Sequence, residues 1–462
     1  MKYGLIGEHL PHSFSKEIHG LIGRYEKNEY DYEICELAPD ELDGFMKRAD
    51  FKGINVTIPY KEKVIPYLDH IDEAAREIGA VNTIVNRGGR LYGYNTDYFG
   101  LRDLIIDTGI ELQNRKVLIL GTGGTSKTAL YVCRSMGASC IYIVSRSAKK
   151  NGDQDTDSST SRNDRADTAN KADIIYTTYD EVYDLCPDAS VMINTTPVGM
   201  YPSAGVSPID IDRFSSLEGV IDVIYNPLRT ELVINAMSED ILAAGGLRML
   251  VTQAVYAYKL FMDNGHGADA SVDANPSGAD SSPGAYDEPG VVRTLVDLVF
   301  RHIYKDKVNI VLIGMPGCGK TTVGKRLAKA YDKKLIDTDT EIIKHENRQI
   351  TEIFENDGEE YFRRVESEVI KDISLRNGLI IATGGGAVLN KDNIDLLKAN
   401  GILIFLDRPL ETLVPTEDRP TAKDRDMLKQ RYEERYDIYM RSCDLRVSDT
   451  DKTEEQINST LI

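Results

Sequence analysis

The sequence predicts an α/β protein made of two enzyme-sized units, each built around a parallel sheet. Three observations carry this prediction. Short, nearly all-apolar runs recur along the chain, helical stretches such as Thr125–Gly137 separate them, and Gly-rich turns leave two of the runs directly into a helix. Strands that are apolar throughout must be covered on both faces, the condition of a parallel sheet flanked by helices. At 462 residues the chain has room for about three domains of roughly 100 to 200 residues.

Taken in order, the runs KVLILG, CIYIVS, VMINTT and VIDVIY fall in the first half, and VNIVLIG, KLIDTD, GLIIATGG and GILIFLD in the second. Two segments are too poor in large apolar side chains to offset their ordering entropy. Ser147 to Lys171 is one, and Asp263 to Gly290, with six acidic residues and no Lys or Arg, is the other. An apolar helical pattern, VVRTLVDLVFRHI, follows the second, so the boundary between units is expected near Tyr304 to Lys307. Both polar segments then read as surface insertions within the first unit.

Composition narrows the partners. Lys plus Arg number 55 against 74 Asp plus Glu, a net charge of −19, so no general attraction to nucleic acid or anionic lipid is expected. Anionic substrates must instead be met by placed cations. The start MKYGLIGEHL lacks a charged segment followed by an apolar core, and no stretch approaches the roughly 18 apolar residues of a membrane span, which points to a cytoplasmic protein. The six cysteines, Cys35, Cys133, Cys140, Cys186, Cys318 and Cys443, show no metal or disulfide spacing and read as thiols.

The sharpest motif is Gly314-Met-Pro-Gly317-Cys318-Gly319-Lys320-Thr321, between a strand and a helix. Its backbone N–H groups can wrap phosphates, Lys320 can place a charge on the outer ones, and the Thr321 hydroxyl can ligate Mg2+. Cys318 reads as a small spacer. Asp337 and Asp339 close the next strand, where they can position Mg2+ and an acceptor hydroxyl or simply cap a helix. Arg363 and Glu366 share a helical face, and Gly384-Gly385-Gly386 ends another strand, implying a close backbone approach or a demanding turn.

In the first half, Gly121-Thr-Gly123-Gly124-Thr125-Ser126 links strand to helix, and the following strand ends in Ser145-Arg146-Ser147. A dinucleotide unit presents the adenosine ribose at that second strand end. An acid there favours NAD, whereas Arg146 can pair with a 2′-phosphate and favours NADP; a solvated strand-end arginine is the alternative.

Further motifs carry a resemblance. Residues 1 to about 304 resemble shikimate dehydrogenases through His12-Ser13-Phe14-Ser15, Asn55-Val-Thr57-Ile-Pro-Tyr-Lys61, Gly79-Ala-Val-Asn82-Thr83, Asn95-Thr96-Asp97, Asn194-Thr-Thr-Pro-Val-Gly-Met200, Tyr225-Asn226-Pro227 and the helix bearing Gln253. Residues 307 to 462 resemble shikimate kinases. The resemblance implies a bifunctional fusion: a substrate-binding domain over 1–100 completed by helices from about 240–304, a Rossmann-type NADP domain over 101–240, and a P-loop kinase domain with a parallel sheet over 307–462.

The activities implied are NADPH-dependent reduction of 3-dehydroshikimate to shikimate and MgATP-dependent phosphorylation of shikimate to shikimate 3-phosphate. By resemblance Ser13, Ser15, Thr57, Asn82, Asp97, Tyr225 and Gln253 hold the dehydrogenase substrate, with Lys61 and Asp97 as the catalytic pair. An ammonium beside a ketone oxygen suits a reduction, because the oxygen needs a proton as hydride reaches carbon. His12 and His19 read as structural. NADP is assigned to Gly121, Gly123, Gly124, Thr125, Ser126, Ser145 and Arg146. ATP is assigned to Gly317, Cys318, Gly319, Lys320, Thr321, Thr322 and Arg419, Mg2+ to Thr321 and Asp337, and shikimate in the kinase to Asp339, Arg363, Gly385, Gly386 and Arg435. Lys320, Asp337 and Arg419 are the expected catalytic residues there.

The sequence departs from the family patterns at two places. The kinase lid, roughly Leu413 to Lys423, reads LVPTEDRPTAKD and is short, and the first polar insertion follows Arg146 where the family continues directly into a helix. Two other readings stand beside the main one, an NAD-linked quinate/shikimate dehydrogenase and a non-catalytic regulator built from the same folds.

Overall fold

The structure, a computed structural model, describes residues 1–10, 13–28, 30–147, 172–263, 289–413, 425–449 and 452–460. His12, Arg419, nearly all of the lid and most of both polar insertions lie outside the described residues. The chain divides into two compact units. The first holds Met1–Thr196, Pro208–Val223 and Ala236–Phe300, and the second Pro197–Ser207, Ile224–Asn235 and Arg301–Ile462.

The first unit contains two six-stranded sheets. One is built from β1 (Tyr3–Gly7), β2 (Tyr32–Glu36), β3 (Gly53–Val56), β4 (His70–Ile71), β5 (Thr83–Arg87) and β6 (Arg90–Tyr94), in the order β2-β1-β3-β5-β6-β4. It is mixed, because β5 and β6 form a hairpin and β5 runs antiparallel to β3. The hairpin turn is Gly88-Gly89, both with positive φ (61° and 91°), the backbone that a tight two-residue turn demands. Helices α1 (Ser15–Tyr25), α2 (Leu42–Arg48) and α3 (Glu73–Ile78) accompany this sheet. Its core gathers Ile6, Met46, Phe51, Ile54, Tyr60, Ile84 and other buried side chains.

The second sheet is parallel throughout: β7 (Lys116–Leu120), β8 (Cys140–Ser145), β9 (Asp173–Thr178), β10 (Val191–Asn194), β11 (Gly219–Asp222) and β12 (Leu242–Ala244), in the order β12-β11-β10-β7-β8-β9. Every residue of β10 and β11 is buried, as strands covered on both faces require. Helices α4 (Asp97–Thr108), α5 (Gly124–Ser135), α6 (Val182–Leu185), α7 (Glu231–Ser238), α8 (Leu247–Met262) and α9 (Pro289–Lys307) complete this part of the chain. The division between units falls within α7 and α9. Phe261 of α8 reaches the first sheet so closely that a Cβ added at Gly53 would sit 2.2 Å from its ring.

The second unit has one parallel sheet of β13 (Asn309–Ile313), β14 (Lys334–Asp337), β15 (Leu379–Ala382), β16 (Gly401–Leu406) and β17 (Leu445–Val447), ordered β14-β15-β13-β16-β17. Around it lie α10 (Lys320–Tyr331), α11 (Thr338–Glu346), α12 (Ile350–Asn356), α13 (Gly358–Ser374), α14 (Lys391–Asn400), α15 (Arg425–Ser442) and α16 (Thr453–Thr460). The central strands β13, β15 and β16 are buried along their whole length, which directs their carboxyl ends, and the turns that follow, into one crevice.

Candidate active sites

In the first unit the loop after β3 carries Lys61 and the start of α4 carries Asp97. Tyr60 anchors that loop, its buried hydroxyl donating to the Leu37 carbonyl, and the Val81 N–H donates to the Lys61 carbonyl at 2.8 Å. The Lys61 ammonium donates to Asp97 Oδ2 at 2.6 Å, with the two side chains only 18% and 12% exposed. An ammonium held this way is a fixed, largely shielded charge rather than a solvated surface lysine.

Beside the pair, Asn82 and Gln253 are buried and joined through Thr96. The Thr96 N–H donates to Asn82 Oδ1 at 2.7 Å, Asn82 Nδ2 donates to Thr96 Oγ1 at 3.1 Å, and Thr96 Oγ1 donates to Gln253 Oε1 at 3.4 Å. Ser13 donates to Ser15 Oγ at 3.0 Å and accepts the Ser15 N–H at 3.2 Å, which fixes two hydroxyls at the start of α1. Thr57 continues from β3, its N–H bonded to the Ile6 carbonyl at 3.0 Å. Tyr225 is the exception in this set: it lies on the 224–235 segment grouped with the second unit, where burial raises its phenol pKa.

The turn after β7 is shaped for a dinucleotide. Gly121 has φ 106°, and a Cβ there would lie 2.9 Å from Thr196 Cγ2 and 3.0 Å from Thr195 Oγ1. A Cβ at Gly123 or Gly124 would meet nothing within 4 Å, so the turn stands open where a pyrophosphate approaches the N-terminus of α5. Ser126 is buried in the first turn of that helix and Thr125 is half-buried. At the end of β8, Ser145 Oγ donates to the Ser147 carbonyl at 2.7 Å and Arg146 is exposed. Two features here escape sequence reasoning. Tyr179 stands close enough to Arg146 for the cation to oppose the burial that raises the phenol pKa. Beneath the turn, Asn194 Nδ2 donates to Asp222 Oδ2 at 3.0 Å, both residues fully buried, while Asn194 Oδ1 accepts from Thr196.

In the second unit the turn after β13 uses Gly314, Gly317 and Gly319 at φ 143°, 81° and 96°. A Cβ on Gly314 would come within 3.0 Å of Cys318 Sγ and the Leu406 carbonyl oxygen, so only glycine fits that position. Lys320 is buried, its ammonium donating to the carbonyls of Gly314 at 2.7 Å and Met315 at 3.1 Å. Cys318 is buried, and Thr322 is exposed. Thr321 Oγ1 donates to Asp337 Oδ2 at 2.7 Å, while Asp337 Oδ1 caps α11 by accepting the N–H groups of Asp339 at 3.1 Å and Thr340 at 3.4 Å. One oxygen of Asp337 thus caps the helix and the other accepts from Thr321.

Arg363, Gly385, Gly386 and Asp339 converge next to this turn. A Cβ on Gly386 would lie 2.2 Å from Arg363 Nη1, and one on Gly384 would lie 2.9 Å from Asp339 Oδ1 and 2.7 Å from Glu366 Oε1. Arg363 donates to Glu366 Oε2 at 2.7 Å and to Glu359 Oε1 at 3.0 Å. Arg435 is 1% exposed, and among the described residues its Nε and Nη2 have no hydrogen-bond partner; neither does Glu366 Oε1. Burial and the nearby Arg363 lower the Arg435 pKa, and burial raises that of Glu366 against the pull of Arg363. The Tyr439 hydroxyl, donated to the Gly385 carbonyl, holds that backbone in place. Arg363, Glu366 and Gly386 line a cleft of about 840 Å³ within this unit.

Both cofactor regions fit the groups expected of them. The open glycine turn with Arg146 suits a 2′-phosphorylated dinucleotide. Thr321 and Asp337 form a hard oxygen pair of the kind Mg2+ takes when substrate phosphates and water supply its other ligands. No group of three or more His, Cys, Asp or Glu that could hold a metal occurs among the described residues, where no helix is long and apolar enough to cross a membrane.

Fold and sites together define the class: a dinucleotide-dependent oxidoreductase joined to a P-loop phosphoryl transferase. Comparison with known proteins makes this particular. The family model for the shikimate dehydrogenase substrate binding domain matches residues 5–84, and the shikimate kinase model matches residues 316–462. A shikimate dehydrogenase (NADP(+)) of Clostridium beijerinckii is 36% identical over 264 residues, covering 56% of this chain and 92% of its own. The corresponding protein of Halothermothrix orenii is 37% identical over 275 residues, covering 56% and 89%. Among solved structures, shikimate dehydrogenase 1 from Peptoclostridium difficile aligns at TM-score 0.51 and 32% identity, over 65% of this chain and 98% of that one. A chorismate mutase/shikimate 5-dehydrogenase fusion from Clostridium acetobutylicum aligns at 0.51 and 31%, over 65% and 96%.

The chain belongs to the shikimate dehydrogenase family and carries a shikimate kinase domain after it, the two enzymes of one pathway in a single polypeptide. Its cofactors are NADP(H) for the first and ATP with Mg2+ for the second. The non-catalytic reading is set aside with that assignment.

Proposed function

We propose that the first unit reduces 3-dehydroshikimate to shikimate and that the second phosphorylates the 3-hydroxyl so formed. The observation that carries the first step is the Lys61–Asp97 pair at 2.6 Å, shielded from water and flanked by amide and hydroxyl groups suited to a polyhydroxylated ring. NADPH bound at the Gly121–Ser126 turn supplies the hydride. Lys61 gives its proton to the ketone oxygen as the C=O π bond opens toward that oxygen, and Asp97 keeps the ammonium aimed there. Ser13, Ser15 and Thr57 hold the ring carboxylate, and Asn82 and Gln253 its other oxygens.

In the second unit, MgATP supplies the phosphoryl group at the Gly314–Thr321 turn. Thr321 and Asp337 hold the metal, and Lys320 charges the loop that faces the phosphates. Arg363 and Arg435 bind the ring carboxylate, because a planar guanidinium can donate two parallel hydrogen bonds to it. Asp339 accepts from the acceptor hydroxyl and orients it, and Arg419 belongs to the lid that excludes water.

The two steps share one molecule, the product of the first being the substrate of the second. Fusion raises the effective concentration of one site near the other. The test is a coupled assay of the intact chain given 3-dehydroshikimate, NADPH and MgATP, following NADPH loss and shikimate 3-phosphate. NADPH loss without phosphorylated product refutes the kinase assignment, and no NADPH loss refutes the reduction.

A further inference from the structure

Below the first site lies a set of buried polar side chains that the catalytic scheme does not use. Tyr32 on β2 is 3% exposed and Asn55 on β3 is 5% exposed, and the Tyr32 hydroxyl donates to Asn55 Oδ1 at 2.7 Å. Burial raises the Tyr32 pKa well above its ordinary value, so this hydroxyl keeps its hydrogen and acts as a donor. With its oxygen occupied, Asn55 turns its amide nitrogen to Thr83 Oγ1 at 3.0 Å and to the Asn82 carbonyl at 3.3 Å. Thr83, fully buried, passes its own hydrogen to Asn82 Oδ1 at 3.1 Å.

The polarity then runs on. Asn82 Oδ1 accepts the Thr96 N–H at 2.7 Å and lies within reach of the Thr83 and Thr96 hydroxyls at 3.1 and 3.2 Å, the two hydroxyls themselves 3.1 Å apart, so Nδ2 gives one hydrogen to Thr96 Oγ1 and keeps the other. Thr96 reaches Gln253 Oε1, and Gln253 Nε2 spends one hydrogen on the Leu250 carbonyl at 2.9 Å and keeps the other. A primary amide can present either end to a ligand, and here the oxygens of both amides already accept within the network while each amide keeps an N–H to offer.

We propose that Tyr32, Asn55 and Thr83 are positioning residues that fix Asn82 and Gln253 as hydrogen-bond donors, so that this part of the site takes hydroxyl or carbonyl oxygens of the substrate. The inference rests on the reading above that Asn82 and Gln253 face the substrate. None of the three touches the reacting atoms; they act through Asn82. Removing the Tyr32 hydroxyl leaves the buried Asn55 oxygen without a donor. The amide then gains by flipping toward Thr83, which withdraws the Thr83 hydrogen from Asn82.

The test uses the full chain, with steady-state oxidation of shikimate by NADP+ as readout. Tyr32→Phe is expected to raise KM for shikimate about tenfold, the effect of losing roughly one hydrogen bond's worth of orientation, with kcat within about threefold and KM for NADP+ unchanged. Should Tyr32→Phe not fold, Thr83→Val and Thr83→Ser decide: the first is expected to raise KM about tenfold and the second, which keeps the hydroxyl, to stay near the parent. KM for shikimate within twofold of the parent in folded Tyr32→Phe or Thr83→Val overturns the relay alone. Absence of shikimate turnover in the parent chain overturns the substrate reading and the relay with it.

Discussion

The two sites solve the problem of a buried charge in opposite ways. In the dehydrogenase site the cation and anion satisfy one another: Lys61 and Asp97 are 2.6 Å apart, and the neighbouring amides are closed into a directed network. In the kinase site Arg435 is almost wholly buried, and among the described residues two of its donor nitrogens and one oxygen of Glu366 have no hydrogen-bond partner. A buried donor without a partner costs free energy, a cost that a ligand carboxylate would relieve. On the proposed function, the first site is organised for a proton at one atom and the second to be completed by its ligand.

The difference predicts opposite stability effects for two substitutions that both damage activity. Lys61→Met removes the proton source and leaves Asp97 buried and unpaired. The reduction is expected to fall by about 10³-fold, within the range that a general acid contributes, while the chain loses about 1–3 kcal/mol of stability. Steady-state NADPH oxidation and a denaturant titration check both halves. Retained turnover would remove Lys61 from its role.

Arg435→Met is expected to raise the kinase KM for shikimate about a hundredfold, through loss of charge-assisted hydrogen bonds to the carboxylate. The unliganded chain, however, should become more stable by about 1 kcal/mol or more, since a buried cation with two unfilled donors gives way to an apolar side chain of similar length. Thermal unfolding without ligand, beside ATP-dependent phosphorylation of shikimate, separates the two effects. A loss of stability would show that the free nitrogens cost little, and the contrast between the sites would fail.

A third substitution sharpens the comparison at the dinucleotide turn, where the charge is exposed. Arg146→Ser should raise KM for NADP+ about tenfold and leave the weaker use of NAD+ unchanged, because only the 2′-phosphate distinguishes the two. Equal effects on both cofactors would make Arg146 a general electrostatic contributor.

What could be read before the structure follows from range along the chain. The strand-turn-helix units and the Gly314–Thr321 turn are local, fixed by apolar runs and by glycines at positive φ, and they lie where their sequences place them. The motifs holding Lys61 and Asp97 name them as a pair by resemblance, and the structure adds the 2.6 Å separation and the burial. The relay from Tyr32 to Gln253 joins four elements through hydroxyl and amide groups whose polarity no spacing rule encodes. Tyr179 meets Arg146 only across the polar insertion, and Tyr225 falls with the second unit although its motif belongs to the first half. In each case what escaped was a long-range contact between residues of ordinary local character.

The smallest effect expected concerns His19, which lies against the relay. Its ring stacks on Tyr32 at 3.8 Å, Nδ1 pairs with the Tyr30 hydroxyl, and Nε2 is buried with no hydrogen-bond partner of good geometry among the described residues. Burial pushes its pKa down to about 3, against an opposing contact with Asn55. An unfolded histidine titrates near 6.5, so between about 3 and 6.5 the unfolded chain binds the extra proton. The stability of the neutral ring is therefore complete above pH 6.5 and is lost as pH falls, by about 1.4 kcal/mol at pH 5.5. His19→Phe keeps an aromatic ring against Tyr32 and has no such proton to bind. Heat inactivation of the dehydrogenase should then depend less on pH between 5.5 and 7 in the variant than in the parent, a difference of a few degrees in Tm. Parallel pH profiles would mean that His19 takes up its proton in place. The closed character attributed to the first site would then not extend to the aromatic layer beneath it.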